Sequence, residues 1–203
     1  MRRIPPVTLF LLVATACATR QPMTGQQAAD VDRKLSTFAF IEEGKLATFI
    51  VDTRATRYRE KERYIPVEIA VANRGLKQLT LTRESFTLAD EAGNRYPCAS
   101  PKELLDNYEY LDLDRNLSEL SEIVFNRFAA MTAYPSKLSP TRLFGRPGQP
   151  ATVTDTVSLP RYGYLIDMIY FPAPTTGLKG HKFELTMSTA ELTDPIFVKF
   201  EVK

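Results

Sequence analysis

The chain has 203 residues, with 26 Lys and Arg against 24 Asp and Glu, 14 Pro, 9 Gly, two Cys and one His. This length fits one globular domain with a core of ordinary size. Because His181 is the only histidine, one chain cannot supply the two or three imidazoles of common catalytic zinc sites and facial triads.

The first 16 residues have the organisation of an export signal. Arg2 and Arg3 precede an apolar stretch from Val7 to Ala16, and small residues lead directly into Cys17. The apolar stretch is about half as long as a membrane-spanning helix requires. We therefore predict that residues 1–16 are a signal peptide and not a lasting membrane helix.

The residues around the expected cleavage site add a second prediction. Val13-Ala14-Thr15-Ala16-Cys17 resembles the lipobox of bacterial lipoproteins, although Ala14 stands where Leu is most frequent. The resemblance implies that Cys17 becomes a lipidated N-terminus, which anchors the chain in the bacterial cell envelope. In a host with two membranes the expected location is the outer membrane, on its periplasmic or surface face. An ordinary secretory signal with an adjacent Cys is the alternative.

Removal of the signal also changes the charge. Without Arg2 and Arg3 the basic and acidic residues balance, so the composition predicts no nucleic-acid partner. Residues 17–34 contain few large apolar side chains and are predicted to be the lipidated Cys followed by a flexible tether. The folded domain is expected to comprise residues 35–203.

Within that domain the apolar residues recur with a period of two, which is typical of half-buried strands. Turn signals at Glu43-Gly44, Asn73-Arg74-Gly75 and residues 90–94 separate the apolar runs. We predict eight or nine antiparallel strands in a sandwich. The residues on the apolar phase of these strands are predicted to form one core: Phe38, Val67, Ile69, Leu81, Phe86, Phe183, Leu185, Val198 and Phe200.

An interval without Pro or Gly interrupts the strands, and it predicts a two-helix insertion over about 101–131. Ser100, Pro101 and Glu103 have the spacing of a capping box that opens the first helix. Asn116 and Glu119 repeat the spacing for a second helix. Its apolar stripe is predicted to pack on the sandwich: Leu117, Leu120, Val124, Phe128 and Met131.

Several strand and turn motifs resemble a known domain family. The run from Ile65 to Asn73, followed by Leu79-Thr80-Leu81, Phe86 to Asp90 and Gly93 to Tyr96, is similar to the immunoglobulin-like (telokin-like) domain of bacterial surface lipoproteins. So are Ile169 to Pro172 and the later Phe183-Glu184-Leu185. The resemblance covers about 130 residues and implies a mainly β, antiparallel immunoglobulin-like sandwich. It implies no catalytic residues.

The densest acidic cluster lies in the insertion, where Asp106, Glu109, Asp112 and Asp114 are interleaved with Tyr108 and Tyr110. A calcium loop needs converging oxygen ligands and typically a Gly, which this segment lacks, so we expect a solvated loop and no metal. Because Tyr contributes strongly to binding at interfaces, we predict a partner-facing surface. Its residues are Tyr108, Tyr110 and Asp112.

A second charged segment contains Arg54, Arg57, Arg59, Lys61 and Arg63. In a strand, residues 57, 59, 61 and 63 form a basic ridge on one face. The ridge can meet lipid phosphates, but a charged edge that discourages aggregation is favoured because Glu60 and Glu62 weaken the field.

No serine-hydrolase elbow, phosphate-binding Gly loop, HExxH or CxxC motif occurs in the chain. Cys98 is expected to be a small structural residue, since its sequence neighbours offer little to activate a thiol. We therefore predict a noncatalytic, membrane-anchored envelope lipoprotein without a cofactor that presents a surface to another envelope protein. The alternatives are a small-ligand or lipid-binding lipoprotein with a pocket under the helices and, third, a hydrolase.

Overall fold

The computed structural model describes residues 38–117, 156–175 and 177–202, and their fold is mainly β and antiparallel. The predicted signal peptide (1–16) and tether (17–34) lie outside these residues. The described strands are β1 (Ala39–Glu43), β2 (Ala47–Asp52), β3 (Tyr64–Asn73), β4 (Gln78–Thr82), β5 (Phe86–Asp90), β6 (Arg95–Pro97), β7 (Thr156–Pro160), β8 (Tyr164–Pro172), β9 (Lys182–Met187) and β10 (Ile196–Glu201).

These strands form two four-stranded sheets and one pair. The first sheet has the order β1-β2-β3-β8, the second β10-β9-β5-β6, and β4 pairs with β7. The β1–β2 hairpin turns at the predicted Glu43-Gly44 position, where the Gly44 N–H donates to the Ala47 carbonyl at 2.9 Å. A Cβ at Gly44 would lie 2.8 Å from that oxygen, so this turn requires glycine.

The two large sheets share one core. The rings of Phe49 in β2 and Phe86 in β5 lie 6.0 Å apart, and those of Phe40 in β1 and Phe200 in β10 lie 6.2 Å apart. Strand alternation places these side chains between the sheets. Eight of the nine predicted core residues are buried as expected: Val67, Ile69, Leu81, Phe86, Phe183, Leu185, Val198 and Phe200.

Phe38 is the exception, because it is only half-buried. It precedes β1, and the guanidinium of Arg57 lies 4.4 Å from its ring centroid. The prediction that Phe38 points into the core is therefore wrong. The next aromatic residue on the same phase, Phe40, packs against the core instead.

The prediction that residues 57–63 lie in a strand is also wrong, so neither the favoured charged edge nor the alternative basic ridge forms there. Residues 54–63 form the β2–β3 connection, which opens with the short helix α1 (Arg54–Arg57). Thr56 anchors this helical turn, because its hydroxyl donates to the Pro66 carbonyl at 2.6 Å. Ala55, in the same turn, is buried. A helical turn distributes the basic side chains around the connection and not along one face.

The insertion begins with helix α2 (Pro101–Asn107), as predicted. The Ser100 hydroxyl accepts from the Glu103 N–H at 3.2 Å, and the Glu103 carboxylate accepts from the Ser100 N–H at 2.7 Å. A second short helix, α3 (Leu111–Arg115), forms where the sequence predicted a loop. The predicted second helix from Asn116 lies, beyond Leu117, outside the described residues. We call residues 101–117 the helical insertion.

Candidate functional site

A buried carboxylate connects the helical insertion to the rest of the domain. Asp114 in α3 is fully shielded from solvent. The Tyr108 hydroxyl donates to its Oδ2 at 2.6 Å, and Arg59 Nε donates to its Oδ1 at 2.7 Å. Tyr170 in β8 also forms a hydrogen bond with Asp114. We call Arg59, Tyr108, Asp114 and Tyr170 the Asp114 cluster.

Local structure positions each member of the cluster. Tyr108 follows α2 directly, and its N–H donates to the Leu104 carbonyl at 2.8 Å, while the Asp114 N–H donates to the Tyr110 carbonyl at 2.9 Å. The Tyr108 ring lies edge-on to three other tyrosine rings, with centroids 5.4 to 5.9 Å apart. These rings, from Tyr64, Tyr110 and Tyr170, fill the space around Tyr108.

Burial controls the electrostatics of the cluster. It raises the pKa of Asp114, although the Tyr108 hydrogen bond and the charge of Arg59 act in the opposite direction. Burial and the Asp114 carboxylate also raise the pKa of Tyr108, so Tyr108 remains a hydroxyl donor at neutral pH. The cluster therefore fixes the insertion on the first sheet, and its carboxylate has no access to a solvent-borne molecule.

The three predicted surface residues differ in their exposure to solvent. Tyr108 is 7 % exposed, so the prediction that it faces solvent is wrong, because its hydroxyl satisfies the buried Asp114. Asp114 itself was expected in a solvated loop and is buried. Tyr110 is half-buried, with the Arg59 guanidinium 4.3 Å from its ring centroid. Asp112 is exposed, as predicted.

Three exposed apolar side chains lie on the same segments of the chain as members of the cluster, and sequence reasoning missed them. Leu105 is 62 % exposed, Leu113 55 % and Tyr58 59 %. Tyr58 and Leu113 directly precede Arg59 and Asp114, so the ion pair brings the two residues into the same region of the surface. A local signal existed for one of them, since Leu104 and Leu105 are adjacent in α2 and a helix buries only one of two such neighbours.

Within the described ranges, no three His, Cys, Asp or Glu side chains lie close enough together to hold a metal ion. None of the helices in those ranges has the length and apolar character needed to cross a membrane.

Comparison with known proteins gives only remote similarity. No protein-family model and no curated protein matches the chain. A Bacillus subtilis protein described as a lipoprotein, YcdA, aligns structurally over 80% of this chain with a TM-score of 0.41 and 13% identity. The YjhA protein of Bacillus subtilis aligns over 80% of this chain and 96% of its own, with a TM-score of 0.40 and 9% identity. This chain covers only 38% of YcdA.

Proposed function

We propose that this protein is a noncatalytic envelope lipoprotein with an immunoglobulin-like (telokin-like) sandwich, anchored through a lipid on Cys17. Its domain presents a surface, formed by the helical insertion and Tyr58 of the β2–β3 connection, to another envelope protein. This insertion surface comprises Tyr58, Leu105, Tyr110, Asp112 and Leu113.

The observation that carries the proposal is that exposed apolar residues lie next to the hydrogen-bonded Asp114 cluster. Large apolar side chains at a protein surface are typical of interaction sites when they are grouped. Here Tyr58 and Leu113 are each adjacent to a member of the Asp114 cluster, whose hydrogen bonds hold their backbone in place. A preorganised surface loses less conformational entropy on binding than a flexible loop. The same packing of tyrosine rings gives no support to the alternative of a ligand pocket around Tyr108.

The anchor is tested by changing Cys17 to Ser. We expect the variant to be released from membranes or to remain an unprocessed precursor, because the lipid can no longer be attached. Immunoblots of membrane and soluble fractions, together with the mass of the mature protein, measure both outcomes. Normal processing with unchanged membrane partitioning would contradict lipidation.

The interaction surface is tested with a photo-crosslinking amino acid at position 113 of the lipidated protein in its own membranes. We expect a discrete crosslinked band with one partner, identified by mass spectrometry. The matched control carries the same amino acid at Asp194, an exposed residue between β9 and β10. Leu105→Ala should weaken the band at position 113. Identical bands from both positions would show that the insertion surface is not selective.

A further inference from the structure

Three turns meet at the end of the molecule opposite the β2–β3 connection. The N–H groups of Arg74 and Gly75 donate to the Leu46 carbonyl at 2.8 and 3.0 Å. The Tyr162 N–H donates to the Asn73 carbonyl at 2.7 Å. These bonds join the β1–β2 turn (44–46), the β3–β4 turn (74–77) and the β7–β8 turn (161–163). We call the three turns together the turn cluster.

The turn cluster combines exposed apolar and basic side chains. Leu46 is 40 % exposed and Tyr162 is 45 % exposed, and they lie on the two turns that are hydrogen-bonded to the end of β3 and to the turn that follows it. Four exposed basic residues lie on the same three turns, and none of the three turns contains an acidic residue. Glu43, at the end of β1, is the acidic residue next to them in sequence. The basic residues are Lys45, Arg74, Lys77 and Arg161.

The backbone at Tyr162 is unusual. Its φ of 68° makes it the one non-glycine residue with a positive φ in the described ranges. This left-handed conformation is costly for a bulky side chain. Burial of the ring does not repay the cost, because Tyr162 remains 45 % exposed, with the Arg161 guanidinium 5.0 Å from the ring centroid. The turn therefore holds a large amphipathic ring out toward solvent beside a cation.

We propose that the turn cluster docks on the surface of an anionic lipid membrane. Leu46 and Tyr162 enter the interfacial region, where an aliphatic side chain and an amphipathic ring are both favourable. The surrounding Lys and Arg side chains contact lipid phosphates, and such contacts are attractive near an anionic leaflet. A soluble polyanion could bind the basic residues, but its binding would not account for the exposed Leu46 on the same turns.

The orientation of the domain makes this proposal testable. Strand β3 runs from the β2–β3 connection to the turn cluster and has ten residues, which span about 33 Å. Tyr58 in the connection and Gln78, which follows the turn cluster at the start of β4, therefore report on opposite ends of the molecule. Both are exposed. The Cys98 thiol competes little for labelling, because Cys98 is half-buried and desolvation raises its pKa.

The experiment uses the full lipidated protein reconstituted into vesicles. A fluorophore is attached at Gln78→Cys or at Tyr58→Cys, and lipids with a spin-labelled headgroup quench whichever label approaches the surface. Vesicles contain phosphatidylcholine alone or mixed with phosphatidylglycerol. We expect several-fold stronger quenching at position 78 than at position 58 in the anionic vesicles, and loss of this difference in phosphatidylcholine.

Charge variants separate docking at the turn cluster from general attraction to the vesicle. Lys45→Gln with Lys77→Gln should abolish the difference in quenching, and Leu46→Gln should reduce it. Lys61→Gln with Arg63→Gln removes the same charge from the opposite end and should leave the difference intact. Equal quenching at both positions, or stronger quenching at position 58, would overturn the proposal. The proposal would also be overturned if soluble polyglutamate changed the fluorescence of the label at position 78 while anionic vesicles did not quench it.

The docking proposal uses the lipid of the proposed function only to hold the chain on the vesicle. Failure of the anchor appears as loss of the protein from floated vesicles. Failure of docking leaves the protein on the vesicle with equal quenching at the two positions. The two results are therefore distinguishable.

Discussion

At the scale of single residues, Asp114 is the one buried acidic residue of the helical insertion, whose other four carboxylates are exposed. Its carboxylate is buried and contacts both Arg59 and Tyr108. Asp114→Ala leaves these two groups without their partner, and removing one member of a buried pair costs about 3 to 5 kcal/mol. We expect a loss of that order in the free energy of urea unfolding. Asp112→Ala, two residues earlier and exposed, should change it by less than about 0.5 kcal/mol.

Cys98 provides a second prediction at this scale. Burial raises the pKa of its thiol to about 12, far above the ordinary value for cysteine. Because the thiolate is the reactive species, labelling of the native protein at pH 8 should be about a thousandfold slower than labelling of the urea-unfolded chain. Stopped-flow or quenched reaction with a maleimide measures both rates. Equal rates would contradict the burial of the thiol.

At the scale of elements, the start of α2 depends on a reciprocal pair of hydrogen bonds between Ser100 and Glu103. Ser100→Ala removes the side-chain acceptor of the capping box and should cost about 1 kcal/mol. Since α2 precedes Tyr108, amide hydrogen exchange should accelerate over residues 101–108 before the strands respond. Lys102→Ala, in the same exposed helical turn, is the control and should have little effect.

The β5–β6 turn is held by Asp90, which gives a prediction about pH. The Asp90 carboxylate accepts from Asn94 and Ala92 N–H groups, the Asn94 side chain and the Tyr96 hydroxyl, and these bonds lower its pKa. A lowered pKa in the folded state gives stability that is present above the unfolded value of 3.8 and is lost as pH falls through the folded value. The difference in unfolding free energy between wild type and Asp90→Asn should therefore shrink between neutral pH and about pH 2.

A stability difference that stays constant down to about pH 2 would show that these hydrogen bonds do not favour the charged form of Asp90. Asp194→Asn, which removes an exposed carboxylate, is the matched control for the change in net charge.

At the scale of the whole molecule, the two large sheets are joined through aromatic side chains. Phe86 in β5 is 1 % exposed and contacts Phe49 in β2 across the core. Phe86→Ala should cost about 3 to 5 kcal/mol, because it removes a buried ring and leaves a cavity between the sheets. Tyr58→Ala should cost much less, since its side chain is exposed. Chemical unfolding measures both, and similar losses would contradict a shared core.

Much of the strand framework follows from the sequence alone. The alternation of apolar residues is a local property, because successive side chains of a strand point to opposite faces. The glycine turns and the Ser100 capping box are local as well, and the structure confirms them. The cleavage site and Cys17 depend only on the sequence and lie outside the described residues.

Tertiary structure decided which charged and apolar residues remain at the surface. Arg59 and Asp114 are 55 residues apart in the chain, so no local pattern pairs them. Once paired, they bury Tyr108, which sequence reasoning had placed at the surface, and they leave Leu113 and Tyr58 exposed beside them. Likewise, the three turns around Leu46 and Tyr162 meet only because β1, β2, β3 and β8 form one sheet. The sequence by itself determined most of the strands, because their periodicity is local, and the tight turns between them, because their hydrogen bonds are short-range. The candidate surfaces required the fold, because their residues are brought together by long-range contacts.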